Sequence, residues 1–176
     1  ANHQQNNDEP GISGVTVGLF EANGKIVGCG ADVSYRDSFT STAANQSEGT
    51  LNWSDDAWTF GNTTYAKIAA SGGSPGGSLQ VYGSNVAYTA TRAADLSVFA
   101  AAPTLSLDYN IAGTASFDVQ YSADNGATFA TLGTLSGNTG GYKQTSFPLP
   151  GNPATAQIRV AAKSGAVWGY FDNLTI

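Results

Sequence analysis

The sequence has little of the chemistry that most enzymes use. Its 176 residues include one His, one Cys, no Met and only 7 Lys and Arg. His3 lies in a polar N-terminal segment and Cys29 follows a predicted hairpin, so Ser–His–Asp, Cys–His and His-based metal sites cannot form within the main part of the chain. A glycosidase needs only two carboxyl groups about 5 to 9.5 Å apart, but no pattern places such a pair in a cleft. We therefore expect no enzyme activity.

The shortage of positive charge excludes further classes of partner. A formal net charge of −6 and a pI near 4.4 leave no basic patch, so binding to nucleic acid or an anionic membrane is disfavoured. No run of about 18 apolar residues occurs, so no membrane span is predicted. The start at Ala1 without Met and the acidic, Lys-poor composition favour a processed protein that is secreted or held at the cell surface.

The single Cys29 cannot form a disulfide within the chain. A lone thiol is typical of a small buried apolar residue. The alternative, a link to a partner's thiol, stays open.

What the chain does contain is typical of strands and turns. Gly is frequent, with 22 residues, and Thr, Ser, Asn, Val, Tyr and Phe accompany it, whereas strong helix formers are scarce. Short alternating segments recur between turn residues, at 33–40, 65–69, 78–82, 86–92, 104–111, 115–121, 128–135, 142–148, 156–162 and 167–176. Regular short strands separated by turns predict an antiparallel β-sandwich with almost no helix.

Two carboxylates lie in register with large apolar side chains. Because side chains alternate along a strand, Asp172 shares a face with Trp168, Tyr170, Leu174 and Ile176, and we expect that face to point into the core. Near the other end, Asp37 shares a face with three apolar or aromatic residues, Val33, Tyr35 and Phe39. A buried carboxylate must be paired, hydrogen-bonded or bound to a cation.

The N-terminal residues are predicted to form a separate unit. Residues 1–10 are polar and cannot fold alone, and strands at 11–20 and 25–29 flank Asn23-Gly24, which predicts a β-hairpin. We place the boundary between an N-terminal arm and hairpin, 1–31, and a sandwich domain, 32–176. Within the hairpin, three aliphatic residues share one face: Val15, Val17 and Leu19. Residues 7–17 also resemble the start of the B-type repeats of bacterial surface adhesins.

A second resemblance covers residues 32–176. It is carried by Tyr35-Arg36-Asp37-Ser38-Phe39, Glu48-Gly49-Thr50-Leu51-Asn52-Trp53, Ala90-Thr91-Arg92-Ala93-Ala94-Asp95-Leu96, Phe117-Asp118-Val119-Gln120-Tyr121 and Tyr170-Phe171-Asp172-Asn173-Leu174. Together these motifs resemble a jelly-roll module of secreted bacterial proteins that is related to MAM-like domains and to calcium-containing carbohydrate-binding jelly rolls. The resemblance implies an all-β, antiparallel two-sheet jelly roll with its first and last strands adjacent.

The same resemblance implies a structural Ca²⁺ ion. Its ligands would be Asp37 and Asp172, with Glu48 or Asn52 from the loop after the first strand. Oxygen-only ligands suit Ca²⁺ and do not suit zinc. The alternative is that Asp37 and Asp172 accept hydrogen bonds from backbone N–H groups or pair with Arg36 and Arg92.

Aromatic residues offer a surface for sugars. The resemblance places Trp53 and Trp168 in the core, whereas Trp58 follows Asp55-Asp56, and Tyr65 and Tyr82 flank a Gly-rich segment, 71–77, that we expect to be a flexible loop. Trp58, Tyr65 and Tyr82 are therefore the candidates for an exposed sugar platform.

Two hypotheses for function follow. In the first, the chain is a non-catalytic extracellular filament or matrix subunit whose partners are copies of itself, because Val15, Val17 and Leu19 could complete the sheet of a neighbour by β-strand addition. In the second, it is a calcium-stabilised carbohydrate-binding or adhesive module whose partner is a polysaccharide. The sequence favours the first hypothesis slightly.

Overall fold

Strands make up nearly all the regular structure. The computed structural model describes residues 19–20, 26–27 and 33–176. The strands are β1 Leu19–Phe20, β2 Ile26–Val27, β3 Arg36–Asp37, β4 Thr59–Phe60, β5 Ala66–Gly73, β6 Gly76–Tyr82, β7 Thr89–Ala94, β8 Thr104–Ile111, β9 Ser116–Ser122, β10 Ala130–Ser136, β11 Lys143–Pro148, β12 Ala156–Ser164 and β13 Trp168–Thr175. One 3-10 turn, Leu96–Val98, is the only helical element in these residues, and they contain no helix that could cross a membrane.

The chain divides into two compact units, Ala1–Ala31 and Asp32–Ile176. In the first unit, β1 and β2 pair antiparallel, with Leu19 opposite Val27, which is the pairing that the predicted hairpin requires at these residues. Val15, Val17, His3 and Cys29 lie outside the described residues. The assembly strand therefore stays a prediction.

The second unit is a sandwich of two antiparallel sheets. One sheet has five strands in the order β10-β9-β12-β7-β4, and the other has six, in the order β11-β8-β13-β6-β5 with β3 beside β13. This architecture confirms the predicted all-β, two-sheet jelly roll.

The apolar side chains that alternate along the strands fill the space between the two sheets, as expected. The core residues of three predicted strands are fully or almost fully buried: Leu105, Leu107 and Ile111 of β8, Phe117, Val119 and Tyr121 of β9, and Ile158 and Val160 of β12. Phe117 meets Phe171 of β13 edge to face, with ring centroids 5.4 Å apart. Burial of each large apolar side chain contributes about 1.5 to 3 kcal/mol, so these rows hold the two sheets together.

The first strand of the sandwich is shorter than predicted but lies beside the last strand. Of residues 33–40 only Arg36–Asp37 form β3, opposite Thr175 and Leu174. The chain leaves the strand because Phe39 has a φ of 51°, which lies outside the extended region. Two backbone hydrogen bonds between Tyr35 and Ile176, both 2.9 Å, extend the pairing of β3 with β13 by one residue on the other side.

The last strand does not turn all its predicted residues inward. Gly169 and Phe171 face the core, so Trp168 and Tyr170 lie on the outer face of the six-stranded sheet and are only partly buried. The register shifts after Asp172, where Asn173 has a φ of 49°. This bulge returns Leu174 and Ile176 to the core. The expected core-facing positions of Trp168, Tyr170 and Asp172 are thus wrong, because simple alternation does not allow for a bulge; Asp172 is buried on the outer face, against Gly73 and Ser74.

The Gly-rich segment is ordered into a hairpin rather than a free loop. Strand β5 runs to Gly73 and β6 begins at Gly76, and these two residues are opposite each other. We call residues 71–76 the strap. It lies on the outer face of the six-stranded sheet, where its backbone finds hydrogen-bond partners that composition alone does not reveal.

Candidate functional site

Aromatic rings lie in a row across one end of the outer face of the six-stranded sheet. Trp168 of β13 is opposite Tyr82 of β6, and the Tyr82 N–H donates to the carbonyl of Tyr65. The ring centroids of Tyr82 and Trp168 are 5.3 Å apart, and those of Tyr65 and Tyr82 are 5.7 Å apart. Tyr88 stacks on Tyr65 at 4.4 Å. We call these four residues the aromatic row.

The row is open to solvent at its Tyr65 end. Tyr65 is 37% exposed, and Val86, two residues before Tyr88 in the chain, is 59% exposed. The rings are not coplanar, because the Tyr65 and Tyr82 planes meet at 43° and those of Tyr82 and Trp168 at 72°. The row therefore offers both ring faces and ring edges rather than a flat platform.

Polar groups fix and flank the aromatic row. The Tyr82 hydroxyl donates to the carbonyl of Ala166 at 2.8 Å, which holds the ring in place. The ammonium of Lys67, on β5, lies 4.9 Å from the centre of the Trp168 ring. A partly exposed row of aromatic rings with a cation beside it can pack against apolar C–H faces while donating hydrogen bonds to hydroxyl groups.

Trp58 does not belong to this surface. It is only 3% exposed, and its indole N–H donates to Asp37 Oδ2 at 2.9 Å. The expectation of an exposed Trp58 is corrected, because the ring packs against Phe39 and closes the core over a buried carboxylate. Trp53, predicted to be buried, is fully buried and donates its indole N–H to the carbonyl of Ala93.

Asp37 is paired with an arginine. The Arg92 Nη1 atom lies 2.7 Å from Asp37 Oδ2, and both side chains are fully buried. Asp37 Oδ1 accepts the N–H of Phe39 at 3.0 Å. Burial raises the pKa of Asp37, while the bonds from Phe39, Trp58 and Arg92 act in the opposite direction. Pairing with Arg92 is the alternative that the sequence left open for this residue.

Arg92 also holds the loop between β3 and β4. Its Nε atom donates to the carbonyl of Asp56, and Nη2 donates to the carbonyls of Gln46 and Trp53, each at 2.8 Å. The guanidinium lies 4.0 Å from the centre of the Trp53 ring. The planar guanidinium has five N–H donors, which suits this set of acceptors. The ammonium group of a lysine could not reproduce these bonds.

Asp172 has a different environment, although it is only 1% exposed. Its oxygens accept the N–H groups of Ser74 at 2.6 Å and Asn173 at 2.7 Å. Desolvation raises the pKa of Asp172, these two bonds lower it, and the nearby charges of Asp108 and Glu48 raise it. No described Lys or Arg forms an ion pair with it.

The other two predicted calcium ligands have different hydrogen-bond partners. Glu48 accepts hydrogen bonds from Ser38, Thr40 and Gln46, which lower its pKa although desolvation opposes them. The Asn52 side chain instead caps its own turn, accepting the Ser54 N–H at 3.1 Å.

The predicted ligand set is therefore only partly brought together. Asp37 already meets a guanidinium, and Asn52 is engaged in its turn, so neither fits a Ca²⁺ ion. Glu48 and Asp172 have no basic partner among the ion pairs of the described residues, and the charge of Glu48 raises the pKa of Asp172. Over the described residues, no three His, Cys, Asp or Glu side chains are grouped as metal ligands, so an ion here would need hydroxyl or carbonyl oxygens as well.

Sequence reasoning missed Trp168, Tyr88 and Lys67 at this surface. The assignment of Trp168 to the core hid its position opposite Tyr82. The signal was present, however, because Tyr82, Tyr88 and Trp168 are aromatic residues of predicted strands, and aromatic residues are enriched at binding surfaces.

Several solved structures share this fold. The C-terminal family 22 carbohydrate-binding module of Clostridium thermocellum Xyn10B aligns with 80% of this chain and 90% of its own, at 16% identity and a TM-score of 0.55. The K1 cleaved adhesin domain of Lys-gingipain from Porphyromonas gingivalis aligns with 81% of this chain and 96% of its own, at 11% identity and a TM-score of 0.57. A family 29 carbohydrate-binding module complexed with cellohexaose aligns with 82% of this chain and 92% of its own, at 10% identity and a TM-score of 0.53.

No protein-family model and no curated protein sequence matches the chain. At identities of this size the likeness shows the fold alone. The sandwich is thus similar in architecture to carbohydrate-binding modules and to adhesin domains.

Proposed function

We propose that the sandwich domain is a non-catalytic carbohydrate-binding module that holds a polysaccharide against the aromatic row. The observation that carries this proposal is the alignment of Tyr65, Tyr82 and Trp168 across the outer face of one sheet, with Lys67 beside them. Sugar rings have apolar C–H faces and a rim of hydroxyl groups, and such a surface offers partners for both.

The structural neighbours support the same class. Two of them are carbohydrate-binding modules, one of them with cellohexaose bound, and a third is an adhesin domain. These neighbours favour sugar binding over the filament hypothesis, which no observation on the described residues supports.

As part of the proposal we place the protein outside the cell. We also retain the kinship with MAM-like domains and, for residues 7–17, with B-type adhesin repeats.

Binding can be tested with soluble oligosaccharides. Isothermal titration of the full chain with cellohexaose and xylohexaose, and affinity electrophoresis in gels containing glucan, xylan or mannan, should detect a ligand. Trp168→Ala and Tyr82→Ala should each weaken binding about tenfold or more, corresponding to roughly 1.4 kcal/mol. The same mixtures, analysed by chromatography, should contain no shortened sugars.

Phe129→Ala is the matched control. Phe129 is a half-buried aromatic residue on the other sheet's side, 3.3 Å from the Arg159 guanidinium. Its removal should leave affinity unchanged, and thermal melting should show that all three variants fold. Equal losses in all three variants, or no binding to any glycan, would contradict the proposal.

We also propose that a Ca²⁺ ion stabilises the domain through Asp172 and Glu48. What supports this is a buried carboxylate whose neighbouring charges, Asp108 and Glu48, are also negative. A divalent cation would compensate that charge with oxygen ligands of the type it prefers.

A further inference from the structure

The strap crosses the outer face of the six-stranded sheet. It leaves the sheet edge at β5 and contacts side chains of three other strands or their neighbours. The carbonyl of Ser71 accepts Gln80 Nε2 at 2.9 Å and Ser78 Oγ at 3.0 Å, both from β6. The Ser74 N–H bonds Asp172 of β13. The carbonyl of Gly72 accepts the hydroxyl of Tyr142, which directly precedes β11 at the opposite edge.

The strap can lie this close only because it is built from glycine. A Cβ atom on Gly72, which has a φ of +91°, would be 2.7 Å from the Tyr170 ring. A Cβ atom on Gly73 would be 2.9 Å from Asp172 Oδ2 and 1.7 Å from the Gly77 carbonyl oxygen. The strap backbone is therefore in direct contact with the sheet, and it leaves Asp172 and Gln80 only 1% and 8% exposed.

Its position relative to the aromatic row follows from the strand register. Tyr170 lies opposite Gln80, one outward position along the strands from the pair Trp168 and Tyr82. The strap covers Tyr170 and Gln80, while the Trp168 and Tyr82 rings next to them stay outside it. The row thus has the strap along one side.

We infer that the strap is the specificity-determining wall of the sugar site, which takes a single glycan chain without substituents on the side facing residues 71–76. This inference rests on the proposed function. A sugar stacked on Trp168 or Tyr82 with a branch directed towards Tyr170 would meet the backbone of Gly72. That backbone is fixed from both edges of the sheet, so it cannot yield without losing its hydrogen bonds.

The chemistry of glycans makes this selection sharp. In extended β-1,4-linked glucan and mannan chains each sugar is turned over relative to the next, so branches on neighbouring sugars point to opposite sides. A chain that is substituted on adjacent sugars therefore directs some branches towards the strap whichever way it lies. A steric conflict of this kind discriminates by about tenfold or more.

The experiment compares linear and branched probes with the same backbone. Calorimetry of the full chain would use cellohexaose against a xyloglucan oligosaccharide, linear xylan fragments against arabinoxylan fragments, and linear mannan fragments against galactomannan fragments. For the backbone that binds, the branched probe should bind the wild type about tenfold more weakly than the linear one.

Two variants release the strap. Tyr142→Phe removes only the hydroxyl that holds Gly72. Replacing residues 71–76 by the turn Asn-Gly joins Ala70 directly to Gly77 through a two-residue hairpin, which suits the register of Ala69 opposite Ser78. The ratio of the branched to the linear dissociation constant should fall severalfold in Tyr142→Phe and approach one in the shortened hairpin. Tyr121→Phe, whose hydroxyl bonds the Pro150 carbonyl elsewhere, is the matched control and should keep the wild-type ratio.

The outcomes separate the two proposals. Equal affinity of the wild type for branched and linear probes, or an unchanged ratio in the folded shortened hairpin, would overturn the role of the strap and leave sugar binding intact. If no glycan binds the wild type, the proposed function fails and the strap's role fails with it.

Discussion

Asp37 and Asp172 are both buried carboxylates, but their surroundings differ. Asp37 meets the Arg92 guanidinium at 2.7 Å, in addition to the Trp58 indole and one backbone N–H. Asp172 accepts two backbone N–H groups, and the charges that raise its pKa are those of two other carboxylates, Asp108 and Glu48. One negative charge is thus balanced inside the protein, and the other is only solvated by amide groups.

The two carboxylates differ in how the free-energy cost of burying their charge is offset. Removing an ion from water costs several kcal/mol, which a well-bonded opposite charge can offset. At Asp37 the offset comes from Arg92, which at the same time fastens the loop between β3 and β4. At Asp172 the offset comes from two backbone N–H groups, and the proposed Ca²⁺ ion would supply the opposite charge.

Breaking the balanced pair should have the largest effect. Arg92→Met keeps much of the side-chain volume but leaves Asp37 without its charge partner. We expect the free energy of unfolding to fall by about 3 to 5 kcal/mol, the usual cost of leaving a buried charge unpaired. Urea denaturation at neutral pH measures it.

Arg159→Met is the matched control for this variant. Arg159 lies half-buried on the other sheet, bonded to Gln120 at 2.8 Å and stacked on Phe129. Its loss should cost about 1 kcal/mol or less. Similar costs for the two variants would mean that the Asp37 pair does not hold the fold.

The sequence predicts the sheet architecture well because alternation and turn chemistry are local. The strand predicted at 104–111 is β8 to the residue, and Asn125-Gly126 lies in the turn between β9 and β10. Both residues of that turn have positive φ angles, as an Asn-Gly turn requires.

The sites were harder to predict because they depend on contacts between distant segments. The bulge at Asn173 shifts the register of β13, so strict alternation of side chains along the strand wrongly predicted Trp168 and Tyr170 in the core. Trp58 is buried because Asp37, 21 residues away in the chain, accepts its N–H. The strap is ordered by Tyr142, 70 residues from Gly72. No local pattern contains these pairings.

Asp172→Asn tests the uncompensated carboxylate and should have a smaller effect. In chelator, the amide group turns one N–H donor towards a backbone N–H, which should cost about 1 to 3 kcal/mol. Relief of repulsion from Asp108 and Glu48 reduces this cost. With Ca²⁺ at a hundredfold excess over Kd, the wild type should gain about 2.7 kcal/mol, and the variant should gain nothing.

Thermal melting with Ca²⁺ and with chelator measures both effects. Asp118→Asn is the control, because Asp118 pairs with Lys163 on the other sheet at 3.1 Å and should keep the full calcium response. A wild-type melting temperature that does not change with Ca²⁺ would contradict the calcium proposal.

A third carboxylate, Asp124, sharpens the comparison because it is exposed and yet strongly hydrogen-bonded. The Thr128 hydroxyl donates to its Oδ2 at 2.6 Å, and the Ser122 hydroxyl and Thr128 N–H donate to its Oδ1. These bonds lower the pKa of Asp124 to about 2. Hydrogen bonds to the ionised form thus outweigh a desolvation effect that is small on the surface, which is the reverse of the balance at Asp172.

The lowered pKa predicts a small acid sensitivity. The ionised form is favoured in the folded state, so its contribution is complete above the ordinary Asp pKa of about 3.9 and is lost as the pH falls towards 2. NMR titration of the carboxyl carbon should find a pKa of about 2 for Asp124. Thr128→Val removes the hydroxyl at nearly constant shape and should raise that pKa, whereas Thr155→Val, in a loop nearby, should not. A titration of Asp124 in the ordinary range would show that its hydrogen bonds do not persist in solution, and solvent alone would then set its charge.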